Sequence, residues 1–311
     1  MPVTAQTNSV ISSRRVSILI FLSLFGLGCI NSQTEKKDEP VEQKQLSQSK
    51  REKSNKSCWD FIRLNDPGIS ELEFTDWYLD CQNSNKAKKK VDANTLIKIQ
   101  SMKFFDCSPY ILDDGLKQAI AGAPKLIYLR LGNNSESRDL IWASSLKNLH
   151  GLCLRGADLS DDGLHSLARM DNLRWLNLRK ANLKLQRENP LPCLPQLEVL
   201  LLNRANDIQI PNVGQFPKLK SLTISESYVT ASGIKKLVKA NPSLCYLDLT
   251  HTRSISRNSI KFLRQFESLE FLAVGGTSLD PTVKEPHLVD GYYPLQELSL
   301  QLPEAFIEVA R

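Results

Sequence analysis

Residues 149–154 read LHGLCL, residues 173–178 LRWLNL and residues 197–202 LEVLLL. Leucine stands first, fourth and sixth in each, as Leu173, Leu176 and Leu178 show. The last two leucines of a set are separated by one residue. Side chains alternate between the two faces of a strand, so these two point to one side and their neighbours to the other. So short a strand cannot bury a face by itself, but copies stacked side by side can.

The spacing recurs in both directions from this stretch. It is met at Leu126-Leu129-Leu131, Leu219-Leu222-Ile224, Leu244-Leu247-Leu249, Leu269-Leu272-Val274 and Leu295-Leu298-Leu300. Successive first members, from Leu126 to Leu295, lie 23, 24, 24, 22, 25, 25 and 26 residues apart. A period this steady predicts one supersecondary unit per repeat. A degenerate ninth unit, Ile99-Met102-Phe104, is expected to precede the eight. Of 48 leucines in the 311-residue chain, 40 follow residue 90, so one long array replaces the two domains that length alone suggests.

Over residues 96–302 the chain resembles the leucine-rich repeat family. The resemblance implies an α/β solenoid, with a curved parallel sheet on the concave side and short helices and extended segments on the convex side. A further apolar residue after each strand (Leu159, Leu183, Ile208, Val229, Ile255, Leu279) is expected to turn inward. Helices are predicted from Asp113-Asp114-Gly115-Leu116 and Asp161-Asp162-Gly163-Leu164, and after Thr230 and Ser256, where a capping residue precedes apolar residues at helical spacing. These units are similar to those of ribonuclease-inhibitor-like and cysteine-containing leucine-rich proteins. Pro190, Pro192, Pro195, Pro211 and Pro217 exclude long helices between the two helical groups. The family often carries Asn or Cys three residues after the last strand leucine. Only Asn134 does so here; Ala157, Ala181, Ala205, Ser227, Thr252, Thr277 and Pro303 hold the other positions, so the buried amides need different partners. The ends need covers. Residues 58–95 are the expected amino-terminal cap, rich in Trp and Phe between Cys58 and Leu79. Residues 303–311 are the carboxy-terminal one, a short helix with Phe306 and Val309 inward.

The first residues form an address. Arg14 and Arg15 precede an uncharged run, Val16 to Leu27, too short to cross a bilayer and of the length of a signal-peptide core. Gly26-Leu27-Gly28-Cys29 resembles the lipobox of bacterial lipoproteins, with Gly26 standing where leucine is usual. The resemblance implies removal of residues 1–28 by cleavage between Gly28 and Cys29. It also implies a lipid anchor, palmitate among its acyl chains, on Cys29. The implied location is the bacterial cell envelope; Ile30, where Asp is absent, favours the outer membrane over the inner. Residues 31–57 hold two aliphatic side chains, Val41 and Leu46, and no aromatic one, so a disordered tether is expected over 29–57.

Little points to chemistry. After Cys29 the cysteines are Cys58, Cys81, Cys107, Cys153, Cys193 and Cys245. Cys58 and Cys81 bracket the cap and are the candidate disulfide, with two buried thiols as the alternative; the other four read as small buried apolar residues. His150 lies near Cys153 without a third orienting group, and none of the four histidines has metal-site spacing. No catalysis, metal or cofactor is expected. The formal charge of +6, from 40 basic and 34 acidic residues, is too mild and dispersed for nucleic acid.

Residues between the strand leucines form the concave face. Lys103, Tyr128, Arg130, Arg155, Trp175 and Arg179 make its first half basic and aromatic, whereas Tyr246, Asp248 and Glu297 mark the last repeats. Arginine beside exposed aromatics is a common interface composition. The function expected is a monomeric, membrane-anchored module that binds a protein, acidic in character, on this face. Two other readings stand beside it. One is a structural envelope protein. The other is a recognition domain of a secreted effector or enzyme, which needs a catalytic domain that the short flanks of the array leave no room for.

Overall fold

Nine strands pair in parallel into a single sheet. The computed structural model describes residues 88–133, 135–184, 191–207, 210, 214–280 and 294–309. The expected signal peptide, tether, Gly28-Cys29 site, Cys58/Cys81 pair and most of the amino-terminal cap lie outside the described residues, as do Asn134 and Ile208. In chain order the strands are β1 Phe104–Asp106, β2 Tyr128–Arg130, β3 Gly151–Cys153, β4 Asp158–Ser160, β5 Trp175–Asn177, β6 Asn182–Lys184, β7 Val199–Asn203, β8 Ser221–Ser225, β9 Tyr246–Asp248, β10 Phe271–Ala273 and β11 Phe306–Glu308. The large sheet runs β1-β2-β3-β5-β7-β8-β9-β10-β11, and β4 pairs with β6 beside it. Most strands pair over three residues; β7 and β8 pair over five. This is the leucine-rich repeat solenoid.

Stacking is enforced at the entry to each strand. The Lys103 carbonyl accepts from the N–H groups of both Ile127 and Tyr128, each at 3.0 Å. Carbonyls of Ile127, His150, Arg174, Glu198, Lys220 and Cys245 repeat the fork at 2.8–3.0 Å. One acceptor thus fixes two residues of the next unit, and the inward leucines fall into line. Leu129, Leu152, Leu176, Leu200, Leu222, Leu247 and Leu272 form a single buried row.

The exit from each strand is also fixed. Two residues past the last inward side chain the backbone turns left-handed: Gly156 (φ 72°), Lys180 (58°), Arg204 (60°), Glu226 (52°), His251 (58°) and Gly276 (68°). Four of the six are not glycine, so they bear a conformational cost. Hydrogen bonds into the next unit offset it: Gly156 N donates to Arg179 O (3.1 Å), Glu226 N to Thr250 O (2.8 Å) and His251 N to Gly275 O (2.7 Å). The expected lack of an asparagine ladder is resolved by hydroxyls in the later units. Ala205 N donates to Ser227 Oγ (3.0 Å), and Ser227 N to Thr252 Oγ1 (3.4 Å). Thr252 Oγ1 in turn donates to Ile224 O (3.0 Å). Where alanine stands, a local turn suffices, as Ala157 N donates to Leu154 O and Ala181 N to Leu178 O, both at 3.1 Å.

Seven helices on the return segments are described: α1 Ala93–Ile99, α2 Asp114–Ala121, α3 Ser137–Ala143, α4 Asp161–His165, α5 Ala231–Ala240, α6 Arg257–Leu263 and α7 Pro294–Gln301. The four expected ones are α2, α4, α5 and α6. Asp113 caps α2 by accepting from Leu116 N (2.9 Å), and Thr230 caps α5 through Ser232 N (3.1 Å). Helix α4 is capped by Ser160, one residue earlier than expected. Among the described residues no helix lies between Met170 and Thr230, as the prolines require.

Three local expectations are corrected. The first unit is Met102-Phe105-Cys107, not Ile99-Met102-Phe104: Phe105 pairs with Leu129, and Phe104 faces outward with Tyr128. The apolar Phe104-Phe105 pair hid the register, and Ile99 belongs to α1. At the other end, Leu295-Leu298-Leu300 is helical and Leu300 is exposed. The last strand is β11, with Phe306 beside Phe271 and Ile307 beside Leu272, so the expected terminal helix is a strand and Phe306 points outward. A spacing of 3 and 5 suits helix and strand alike when no neighbouring unit fixes the choice. Among the cysteines, Cys107 and Cys153 are buried as expected, but Cys193 is exposed and Cys245 half-buried.

Thr252→Val removes the acceptor for Ser227 N at nearly constant volume. A loss of about 1–3 kcal/mol in denaturant unfolding is expected, with the same slope on denaturant as the wild type.

Candidate functional site

Strict register arranges the outward side chains in rows across the sheet. One row runs Phe104, Tyr128, Gly151, Trp175, Val199, Ser221, Tyr246, Phe271 and Phe306. Beside it run Asp106, Arg130, Cys153, Asn177, Leu201, Thr223, Asp248, Ala273 and Glu308. Aromatic rings stack along the first row: Phe104 on Tyr128 (centroids 5.0 Å), Tyr246 on Phe271 (4.6 Å, 2° between planes) and Phe271 on Phe306 (5.7 Å). The Tyr128 ring also lies over Gly151, where a Cβ would stand 2.1 Å from Tyr128 Cδ1. Glycine there makes room for the ring.

The sequence placed Tyr128, Arg130, Trp175, Tyr246 and Asp248 on this face, and the rows bring them there. They are not exposed. Tyr128 retains 1% of its surface, Arg130 and Trp175 0%, Tyr246 7% and Asp248 5%. Alternation identifies a side chain's direction, not what lies above it, and this is why the sequence read them as accessible. Arg155 and Arg179, one step further along their strands, stay half-buried. Lys103 is half-buried too, but the corrected register moves it out of the concave rows to the row entering the strands, beside Ile127, His150 and Arg174. Phe104, Phe306 and Glu308 are concave residues that the sequence reading missed. Alternation of Phe306 and Glu308 with Ile307 and Val309 was the available signal.

Electrostatics divide the face. At its first end Arg130 Nη1 lies 3.3 Å from Asp106 Oδ2. Asp106 is itself held by Ser108, whose N–H (2.7 Å) and hydroxyl (2.8 Å) donate to its two oxygens. At the far end the acidic pair is Asp248 and Glu308, two strands apart across Ala273. Glu297, expected there, instead lies on α7 and pairs with Arg257 Nε (3.4 Å). Burial pushes the Asp248 carboxyl above its ordinary range; hydrogen bonds from Thr250 and the charges of Arg179 and His251 only partly oppose this. Burial also raises Glu308, and repulsion from Asp248 adds to it. Burial raises the Cys107 thiol well above its ordinary value, as suits a core residue.

His150 enters β3 on the rim row, whereas Cys153 sits in the second concave row. Among the described residues no three His, Cys, Asp or Glu side chains gather as a metal site, and no helix is long and apolar enough to cross a membrane.

No family model and no curated protein matches the sequence. Among solved structures, the chain is similar to internalin C2 of Listeria monocytogenes, at 20% identity and a TM-score of 0.45, over 69% of this chain and 83% of that one. It is also similar to a leucine-rich repeat protein of Leptospira interrogans, at 16% identity and a TM-score of 0.34, over 68% of this chain and 62% of the other.

A raised carboxyl binds protons more readily in the folded chain than in the unfolded one. The stability linked to Asp248 and Glu308 is therefore greatest below about pH 4, the unfolded carboxylate range, and falls as pH rises towards their raised values. Asp248→Asn keeps an oxygen for Thr250 N and Oγ1. Melting curves between pH 4 and 8 should show a smaller decline for the variant and a higher midpoint than wild type at pH 7.

Proposed function

We propose that the chain is a lipid-anchored, non-catalytic recognition module of the bacterial cell envelope, which binds a protein on the concave side of its solenoid. One observation carries the reading. The nine strands share one inward pattern, yet the half-buried charged residues of the outward side change from Arg155 and Arg179 in the earlier units to Glu308 in the last. A scaffold needs only the inward repetition. A surface whose charge changes sign along the array suits one partner in one orientation, because complementary potential fixes register more than it adds affinity. Solenoids present such extended concave surfaces by construction.

The half-buried Arg155 and Arg179 are the accessible cations of the basic half, so the partner's contacting surface is acidic. Arg130 serves the sheet instead, through Asp106. The anchor reading rests on Arg14, Arg15, the apolar run Val16 to Leu27 and Gly28-Cys29. Several acyl chains on Cys29, each methylene contributing about 0.8 kcal/mol, would hold a monomer at the outer membrane.

Cross-linking in intact cells followed by reconstitution of the captured pair tests this reading. The double variant Arg155→Ala/Arg179→Ala should weaken binding at least tenfold and leave the melting temperature within about 2 °C of wild type. Arg130→Ala should instead lose about 1–3 kcal/mol of stability, since it empties a fully buried position and takes the cation from half-buried Asp106. Binding undiminished in the double variant would refute the concave site. Cys29→Ala should abolish incorporation of labelled fatty acid; an unlabelled wild type would refute the anchor.

A further inference from the structure

We propose that the corner Arg179-Lys180 is a carboxylate site, filled by an acidic peptide segment of the partner that crosses the ends of the strands. The inference deepens the concave-binding reading and rests on it for the partner, but its evidence is local to this corner.

Two amides converge there. Asn177, in the second outward row on β5, accepts from Arg179 N through Oδ1 (2.9 Å). Asn203, the last residue of β7 in the next unit, accepts from Lys180 N through Oδ1 (2.5 Å). The two donors are successive N–H groups, so carboxamides from adjacent strands close on one stretch of backbone. A backbone N–H selects the oxygen of each amide, which leaves both Nδ2 groups beside the corner. Asn177 is 0% and Asn203 6% exposed, and neither Nδ2 finds an acceptor among the described residues. Buried donors left so are costly, and the oxygens of a ligand would satisfy them.

Charge selects the ligand. Arg179 is half-buried and Lys180 exposed, so the amides form a floor and two cations its open side. A guanidinium fork pairs with both oxygens of one carboxylate, whose remaining lone pairs can take the amide donors. Arg155 stands in the same row one unit earlier, two residues past Cys153 as Arg179 is past Asn177. The cations therefore continue across the strands, and the segment they suit runs across them too. Arg204, one unit later, is already engaged by Glu226 at 3.9 Å and closes the cluster. The backbone carries the same message. Lys180 turns left-handed (φ 58°), where the first and last corners of its row are Gly156 and Gly276. Glycine would bear no such cost at 180; lysine bears it and supplies a cation. Strain of this kind is kept where a site uses it.

The full-length chain and the peptide hexaglutamate provide the test, by calorimetry at low ionic strength with hexaglutamine as the uncharged control. The wild type should bind hexaglutamate and not hexaglutamine. Asn203→Asp keeps an oxygen for Lys180 N and exchanges the donor for an acceptor. It should weaken binding about tenfold with the melting temperature unchanged. Asn172→Asp makes the same change of charge on the exposed turn before β5 and should leave binding within about twofold. Lys180→Gly should weaken binding and raise the melting temperature, since cation and strain go together. A wild type that ignores hexaglutamate, or an Asn203→Asp variant that binds it as tightly as wild type, would overturn the proposal. If Asn203→Asp does not fold, Lys180→Gly decides, and undiminished binding in it is the overturning result. Loss of binding in Arg155→Ala/Arg179→Ala but not in Asn203→Asp would sink the corner and spare the concave reading.

Discussion

A carbonyl that accepts from two successive N–H groups of the next unit is the contact on which the solenoid depends. It leaves no freedom of register. A slip by one residue would turn every inward leucine to the outside and every outward residue to the core. Because the fork recurs from Lys103 to Cys245, alignment is passed from unit to unit while return segments vary in length and kind. The inward rows, the outward rows and the left-handed corners are all consequences of it. The corners show this most plainly. Lys180, Arg204, Glu226 and His251 accept an unfavourable backbone geometry because their positions are already fixed by the strand before them.

Much of this was legible in the chain. Leucines at a period near 24 residues named the strands, and capping residues before apolar runs named four of the helices. What failed had physical causes. The first strand lacks leucine, and with two adjacent phenylalanines either one satisfies the pattern; only pairing with Leu129 selects Phe105. Leu295, Leu298 and Leu300 satisfy a strand template but lie in a helix, because periodicity over six residues does not separate the two. The hydroxyl ladder was invisible for a different reason. Ser227 and Thr252 are ordinary residues in isolation, and their role exists only once adjacent units bring each hydroxyl to its neighbour's amide.

The concave face was legible in direction and not in environment. Alternation found Tyr128, Arg130, Trp175, Tyr246 and Asp248, whereas Lys103 and Glu297 lie elsewhere, and Asp106 and Glu308 are the acidic residues it did not find. The burial of the first five was beyond reach, since no pattern along a strand reports what stands above it. The distinction separates two kinds of cation. Arg130, tied to Asp106 and shut off from solvent, belongs to the architecture; Arg155 and Arg179, one step along their strands, are half-buried and remain partly open to solvent.

The five-residue pairing of β7 with β8 gives the array a mechanical centre. In a linear stack each unit is held only by its two neighbours, so opening begins at an end and advances one interface at a time. The longest interface lies midway, next to the stretch that carries no described helix. Fraying from either side therefore meets its greatest resistance midway along the array. Opening that begins at the end carrying Lys89 is thereby halted at this interface before it reaches the end carrying Phe306.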